Sequence, residues 1–461
     1  MARQLVPPRP PGPRINLALA VIGQLLPGLF PFDPLIFGQD IARQFGDIAH
    51  YSVGPLHVYQ LSHPDLARQI LVEQPEKFHK PQLLKRAFRS FAGDGLLTSD
   101  GAHWKQQRKL MQPAFAPSHF AAYGAVMVAH ALQLVDSLAE GQPLEISATM
   151  ARLTLAIVIK CLFGADLTED TEGVGRLMGP VLDAANQRLN SAIAFPSWVP
   201  TPRNLRERRA VVKLDAMLHG MIRARRASGG DHDDLLSALL RASDEESGIG
   251  MSDRQLRDEM MTLVLAGHET TAMALTWTWY LLTQHPDVEA RLLGELQQVL
   301  GGRAPAVPDL PNLPYTEMIV REAMRLYPPA PGVAREPIED VTIAGYEVPK
   351  GSLVTVNSYA LHRDRRFFDD PERFNPDRFA RGWEDRVSRC AYLPFGAGPR
   401  VCIGAGFAMM EARLILATVA QRYKLALRSG QTVVPMQLVT VRPKHGVWMT
   451  PTRRQNPSGN N

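Results

Sequence analysis

The stretch Phe395-Gly396-Ala397-Gly398-Pro399-Arg400-Val401-Cys402-Ile403-Gly404 sets one cysteine in a glycine-rich turn, just ahead of an apolar, helix-forming run from Ala405 to Tyr423. Gly396, Gly398 and Gly404 permit backbone conformations and close approaches that a side chain forbids. A helix start just after Cys402 offers unpaired N–H groups and partial positive charge, which favour a thiolate over a thiol. Arg400, two residues earlier, could bind the carboxylates of an anionic ligand. The competing reading is a buried cysteine in a tight turn before a helix.

A thiolate in a backbone nest with a flat surface above it suits the axial ligand of a haem iron. Phe395, Gly396, Gly398, Arg400, Cys402 and Gly404 match the haem-binding signature of the cytochromes P-450 at fixed spacing, and the stretch resembles that family of haem-thiolate monooxygenases. The resemblance implies a mainly α fold with a smaller β-rich part. It also implies haem b (iron protoporphyrin IX), held between a long central helix and the cysteine loop, with Cys402 as the metal ligand. Residues 1–30 are expected to form a flexible proline-rich arm, 31–452 a single haem-thiolate monooxygenase domain, and 453–461 a disordered tail.

The central helix is legible in its own right. Ser252-x-x-Gln255 reads as a capping box, and helical character runs to Gln284, where Pro286 ends it. Some 32 residues give about 48 Å, enough to cross a domain. In its middle lies Ala266-Gly267-His268-Glu269-Thr270-Thr271. A mid-helix glycine and threonines can simply mark a kink. In the resembled family the same motif is an acid–alcohol pair. Ala266 and Gly267 would then keep a groove open for dioxygen, while Thr270 and Glu269 manage protons. His268 reads as structural.

Trp104 and Arg108 stand four apart, on one helical face. By the resemblance they hold haem propionates together with Arg335 and Arg400. Glu322 and Arg325, three apart before Pro328-Pro329, would form a buried ionic scaffold with Arg373 in a later loop. From Phe78 to Leu97 no period persists, so a long apolar loop is expected that packs on something or lines a pocket. The candidate pocket residues are Leu83, Leu84, Phe88, Leu97, Leu263, Ala330, Val333, Leu438 and Val439, mostly apolar. They point to a small apolar substrate such as a fatty acid or terpenoid. Residues 117–230 read as amphipathic helices interrupted by Gly164, Pro180 and the run 195–202. Phe195 and Trp198 in that run could meet substrate, lipid or a neighbouring helix, and packing is the reading adopted. Polar linkers are expected at 229–234 and 245–248, and a hairpin at Ile48–Val53 and Leu56–Leu61.

Hydrophobic residues at 45% and charged ones at 21% describe an ordinary globular chain. The excess of 51 Lys and Arg over 46 Asp and Glu is too slight for nucleic acid; it fits a basic patch for an acidic protein partner. Three cysteines argue against a disulfide framework and for a reducing cytoplasm. The apolar run Leu17 to Phe30 is broken by Gln24 and Pro27, and falls short of the ~20 residues a span needs. No transmembrane anchor is expected, peripheral membrane contact at residues 17–37 stays open, and the chain is read as a monomer. It shows no flavin or ferredoxin motif, so electrons would come from a separate ferredoxin or flavodoxin with its reductase. That donor would dock near Lys105, Lys109 and Arg400. The reaction implied inserts one atom of O2 into the substrate by hydroxylation or epoxidation. The rivals are a haem-thiolate enzyme that uses or rearranges peroxides, and a non-enzymatic haem sensor.

Overall fold

In the computed structural model, which describes residues 9–15, 33–165, 171–190, 195–228, 234–241 and 250–455, the capping box forms as its spacing predicts. The Gln255 N–H donates to Ser252 Oγ at 3.3 Å, and the Ser252 N–H to Gln255 Oε1 at 2.9 Å. The helix they start runs Asp253–Gln284, and Pro286 opens the next one. It is the axis of the fold. Helix Ile146–Phe163 lies along it, and helices Pro314–Leu326 and Ala405–Arg422 pack on it. One large apolar core surrounds its second half, and another, with helices Gln82–Ala92, Thr171–Asn190 and Pro202–Ser228, surrounds its first. Among the described residues only Ile146–Phe163 is long and apolar enough to cross a membrane. It buries twelve of its side chains in these cores.

The β-rich part is a five-stranded sheet in the order Ile48–Val53, Leu56–Leu61, Leu353–Val356, Val333–Pro337, Phe78–His79. The hairpin has the expected bounds, pairing Ile48 with Leu61 around Gly54, whose φ is +57°. Leu56–Leu61 pairs in parallel with Leu353–Val356, and Val333–Pro337 returns antiparallel. A small hairpin, Pro435–Gln437 with Val441–Pro443, leans against the central helix, where Trp277 Nε1 donates to the Val441 carbonyl at 2.9 Å.

Several expectations are corrected. The stretch from Phe78 to Leu97 is no long loop: strand Phe78–His79 leads into helix Gln82–Ala92, which buries Ala87, Phe88, Phe91 and Ala92. A window spanning strand, helix and turn averages their periods away. Pro180 does not interrupt its helix, which runs Thr171–Asn190. Burial of Val174, Met178, Val181, Leu182 and Ala185 outweighs a proline penalty of about 3 kcal/mol. Phe195 and Trp198 are not packed, being 52% and 74% exposed. Part of the proline-rich arm is docked: the His50 N–H donates to the Pro11 carbonyl at 3.0 Å. The expected tail begins inside strand Trp448–Arg453, and Arg454 pairs with Glu289. Of the expected linker 229–234, Asp234 is buried and pairs with Arg225, while 229–233, the linker 245–248 and residues 17–32 and 456–461 lie outside the described residues.

Candidate active site

The cysteine loop is a closed piece of backbone. The Cys402 N–H donates to the Phe395 carbonyl at 2.9 Å, and Gly396 and Gly398 adopt φ of +71° and +70°. A Cβ at Gly398 would fall 1.8 Å from the Leu71 carbonyl oxygen, so only glycine lets the loop lie against that turn. Gly404 caps helix Ala405–Arg422. The Cys402 side chain is exposed. Burial of its surroundings pushes the thiol up, while the Gly404 N–H and the Arg108 guanidinium hold it down. The Gly404 N–H at the helix start thus acts toward the thiolate, as its position in the sequence predicts, and desolvation acts against it.

Beside the loop, four cations surround one carboxylate. Lys85 Nζ lies 2.8 Å and Arg400 Nη2 3.3 Å from Asp100, whose Oδ2 also accepts the Lys80 N–H. Arg335, on the sheet, is 7% exposed and donates to its neighbour's carbonyl. Burial, then Arg400, pushes Arg335 down to about 10. Burial pushes Lys80 down to about 7, with Asp100 opposing and Arg400, Arg335 and Lys85 reinforcing. Arg400 Nε is buried without a partner. Trp104 lies beneath Arg400 and Lys80, 5.3 and 5.8 Å from its ring. Arg108 leaves this group; its Nη1 donates to the Val401 carbonyl at 2.7 Å and so braces the cysteine loop. Sequence reasoning missed Lys80, Lys85 and Asp100, whose sole signal was charge within an apolar stretch.

The central helix carries one opening. From Leu256 to Trp279 every residue is buried except Ala266, Gly267 and Thr270, which share a face. Thr270 Oγ1 donates to the Ala266 carbonyl at 2.6 Å. Gly267 also meets a packing need: a Cβ there would sit 2.9 Å from Val158 Cγ2, so the glycine lets helix Ile146–Phe163 approach closely beside the opening. Glu269 does not join Thr270 on the open face. It is 3% exposed, accepts from Thr440 Oγ1 at 2.7 Å and Arg442 Nε at 2.6 Å, and stands 4.0 Å from His268. His268 is a buried core group whose burial keeps it neutral to lower pH.

Of the pocket candidates, Leu83, Leu84, Leu97, Val333, Leu438 and Val439 are half-buried and Ala330 is exposed. Phe88 and Leu263 are more deeply buried, at 4% and 7% exposed, and Phe88 meets Phe91 edge-on at 5.6 Å. The ionic scaffold forms with one substitution of partner. Arg325 grips Glu322 at 2.7 Å and also donates to the carbonyls of His362, Pro371 and Arg373. Arg373 supplies only that carbonyl, its side chain being exposed, and Arg378 reaches Glu322 at 3.3 Å in its place.

These groups fit haem. Among the described residues no three His, Cys, Asp or Glu side chains converge as metal ligands. A metal at Cys402 would therefore bring its other ligands with it, as porphyrin iron does. The excess of cations around Asp100 and the orphaned Arg400 Nε suit its carboxylates. The sequence model of the cytochrome P-450 family matches residues 11–451. Relatives include a cyclooctat-9-en-7-ol 5-monooxygenase of Streptomyces melanosporofaciens, 38% identical over 84% of each chain. A pentalenene oxygenase of Streptomyces avermitilis is 34% identical over 88% of this chain and 90% of its own. A solved cytochrome P450DA heme domain superposes with a TM-score of 0.88, at 27% identity, covering 98% of this chain and 99% of that one.

Proposed function

The chain belongs to the cytochrome P-450 family and is a monooxygenase; from that premise we propose that it hydroxylates or epoxidises a cyclic terpenoid, with haem b ligated by Cys402. Two relatives are named for a cyclic alkenol and for pentalenene. The half-buried apolar side chains Leu97, Val333, Leu438 and Val439 suit such a hydrocarbon. The observation that carries the site reading is the single break in the burial of the central helix, at Ala266, Gly267 and Thr270.

When bound, the haem supplies dioxygen activation and transfer of one oxygen atom. The chain's own groups do the rest. Lys80, Arg335, Arg400 and the Trp104 edge hold the propionates, and Arg108 keeps the cysteine loop in place. Thr270 Oγ1 holds a proton on the open face. Glu269, behind it, is the neighbouring acid, held by Thr440 and Arg442, and its route to that hydroxyl would need water between them. Electrons come from a separate ferredoxin or flavodoxin and its reductase in the cytoplasm. Its docking face is the hollow of about 760 Å³ beside Pro399, whose wall includes Lys105, Arg108 and Lys109 and suits an acidic partner.

Reduction under carbon monoxide tests the ligand. The Soret band is expected where thiolate ligation places it, and a folded, haem-loaded Cys402→Ser variant should lose that position. An unchanged band would refute Cys402 as ligand. Titration with cyclic terpene alkenes and with fatty acids tests the substrate: the terpenes should shift the iron's spin state at lower concentration. Preference for fatty acids would overturn the terpenoid reading alone.

A further inference from the structure

Two ionisable groups, the fully buried Glu259 and the half-buried Lys80, hold one residue of the segment that joins helices Gln82–Ala92 and Gly101–Met111, and the proton handling at Thr270 uses neither. Glu259, on the central helix seven residues before Ala266, is fully buried, and its Oε2 accepts the Leu96 N–H at 2.8 Å. Lys80 Nζ donates to the Leu96 carbonyl at 2.8 Å and to the Ser99 carbonyl at 2.5 Å. The same segment is held at Asp94, whose N–H donates to Asp258 Oδ2 at 3.0 Å. It lies flat on the central helix: a Cβ at Gly95 would meet Thr262 Oγ1 at 2.3 Å. Leu96 and Leu97 then pack on the cluster that contains Leu263 and also receives Val439 and Ile403. Where this segment sits therefore sets one wall of the apolar pocket.

We propose that Glu259 and Lys80 are positioning residues that grip Leu96 by its two backbone polar groups, closing the Gly93–Ser99 segment over the pocket and making entry selective by ligand size. A carboxyl is costly to bury without a partner, and Glu259 Oε1 has none. Placing it there yields one contact, the Leu96 N–H. Without that contact Leu96 keeps only its carbonyl bond to Lys80. The ends of the segment stay held by Asp94 on Asp258, Gln107 on the Asp94 carbonyl and Thr98 on the Gly93 carbonyl, so Leu96 and Leu97 gain freedom to shift. Small ligands pass either way, while bulky ones need the middle to move. The proposal rests on the haem-pocket reading above.

The test uses haem-loaded enzyme, stopped-flow absorbance with imidazole and with 4-phenylimidazole, and amide hydrogen exchange over residues 93–99. In Glu259→Ala, amide exchange and 4-phenylimidazole dissociation should both rise by about three- to tenfold, the worth of one hydrogen bond. Imidazole should stay within about twofold of wild type. Glu259→Gln should restore wild-type behaviour, because its carboxamide oxygen can still accept the Leu96 N–H. Unchanged 4-phenylimidazole dissociation in Glu259→Ala, or equal acceleration of both azoles, would overturn the proposal. Should Glu259→Ala fail to hold haem, Glu259→Asp, one methylene too short to reach Leu96, answers to the same two outcomes. If neither azole moves the wild-type Soret band, the pocket reading itself falls.

Discussion

Two of the carboxylate–guanidinium pairs on the central helix and its neighbour Pro314–Leu326 are built for different ends. In Glu322–Arg325 both side chains are fully buried, and the remaining guanidinium hydrogens go to three backbone carbonyls. Glu322 is further tied by the Asn375 N–H and by Arg378. Glu269–Arg442 is looser: Arg442 is one-third exposed, and the carboxylate faces a hairpin carrying pocket residues. A pair whose every donor is satisfied has one arrangement. A pair with an exposed partner can have two. The first holds the cysteine loop's supports together, and the second can respond to what occupies the pocket.

The sharpest way to break this contrast is to remove a member of the closed pair. Arg325→Leu leaves a buried, uncompensated Glu322 and should cost about 3–5 kcal/mol. Urea unfolding with haem release as the readout checks it, and a loss below about 1 kcal/mol would demote the network to ornament. Arg378→Ala should cost about 1–2 kcal/mol, whereas Arg373→Ala, an exposed side chain, should cost almost nothing. The reverse order would restore Arg373 to the network.

Acid probes the same region less severely. His362 is buried between the Arg325 carbonyl and the Leu393 N–H, which its Nε2 accepts at 2.8 Å. Burial first, then Arg325, lowers it to about 3 from an ordinary 6.5. The unfolded chain therefore binds the extra proton between those values. Stability should be constant above pH 6.5 with respect to this group, and fall as pH drops toward 3, by on the order of 3 kcal/mol at pH 4. His362→Gln should flatten that slope in urea unfolding measured from pH 7 to pH 4. An equal slope in wild type and variant would place the acid lability elsewhere.

What the sequence disclosed follows the same division. The cysteine loop, the capping box and the Glu322–Arg325 spacing are local patterns, fixed by backbone geometry within ten residues, and each stands where it was expected. The long-range partners were invisible. Nothing near Glu269 in the chain announces Thr440 or Arg442, about 170 residues on, and nothing near Leu96 announces Glu259. Arg373 was mistaken for Arg378 because Pro371-Glu372-Arg373-Phe374 and Pro376-Asp377-Arg378-Phe379 read alike, and only packing distinguishes the arginine that turns inward. Gly267 is ambiguous for a related reason. A glycine reports that something comes close, and the sequence does not announce Val158 as one such neighbour.

The open pair should answer in chemistry rather than stability. Thr270→Ala should leave haem binding and unfolding intact while product formation falls about ten- to a hundredfold and reductant is diverted to peroxide. Unchanged coupling of NAD(P)H to product would remove Thr270 from proton handling. Arg442→Leu should do less. Glu269 would keep Thr440 but lose its guanidinium partner, and coupling should fall only a few-fold. Arg442→Lys, which restores the charge without the guanidinium geometry, should recover most of that loss. Coupling identical in all three proteins would mean that Glu269 is a wall residue. Loss of folding in Arg442→Leu comparable to that in Arg325→Leu would mean that the two pairs are the same kind of object after all.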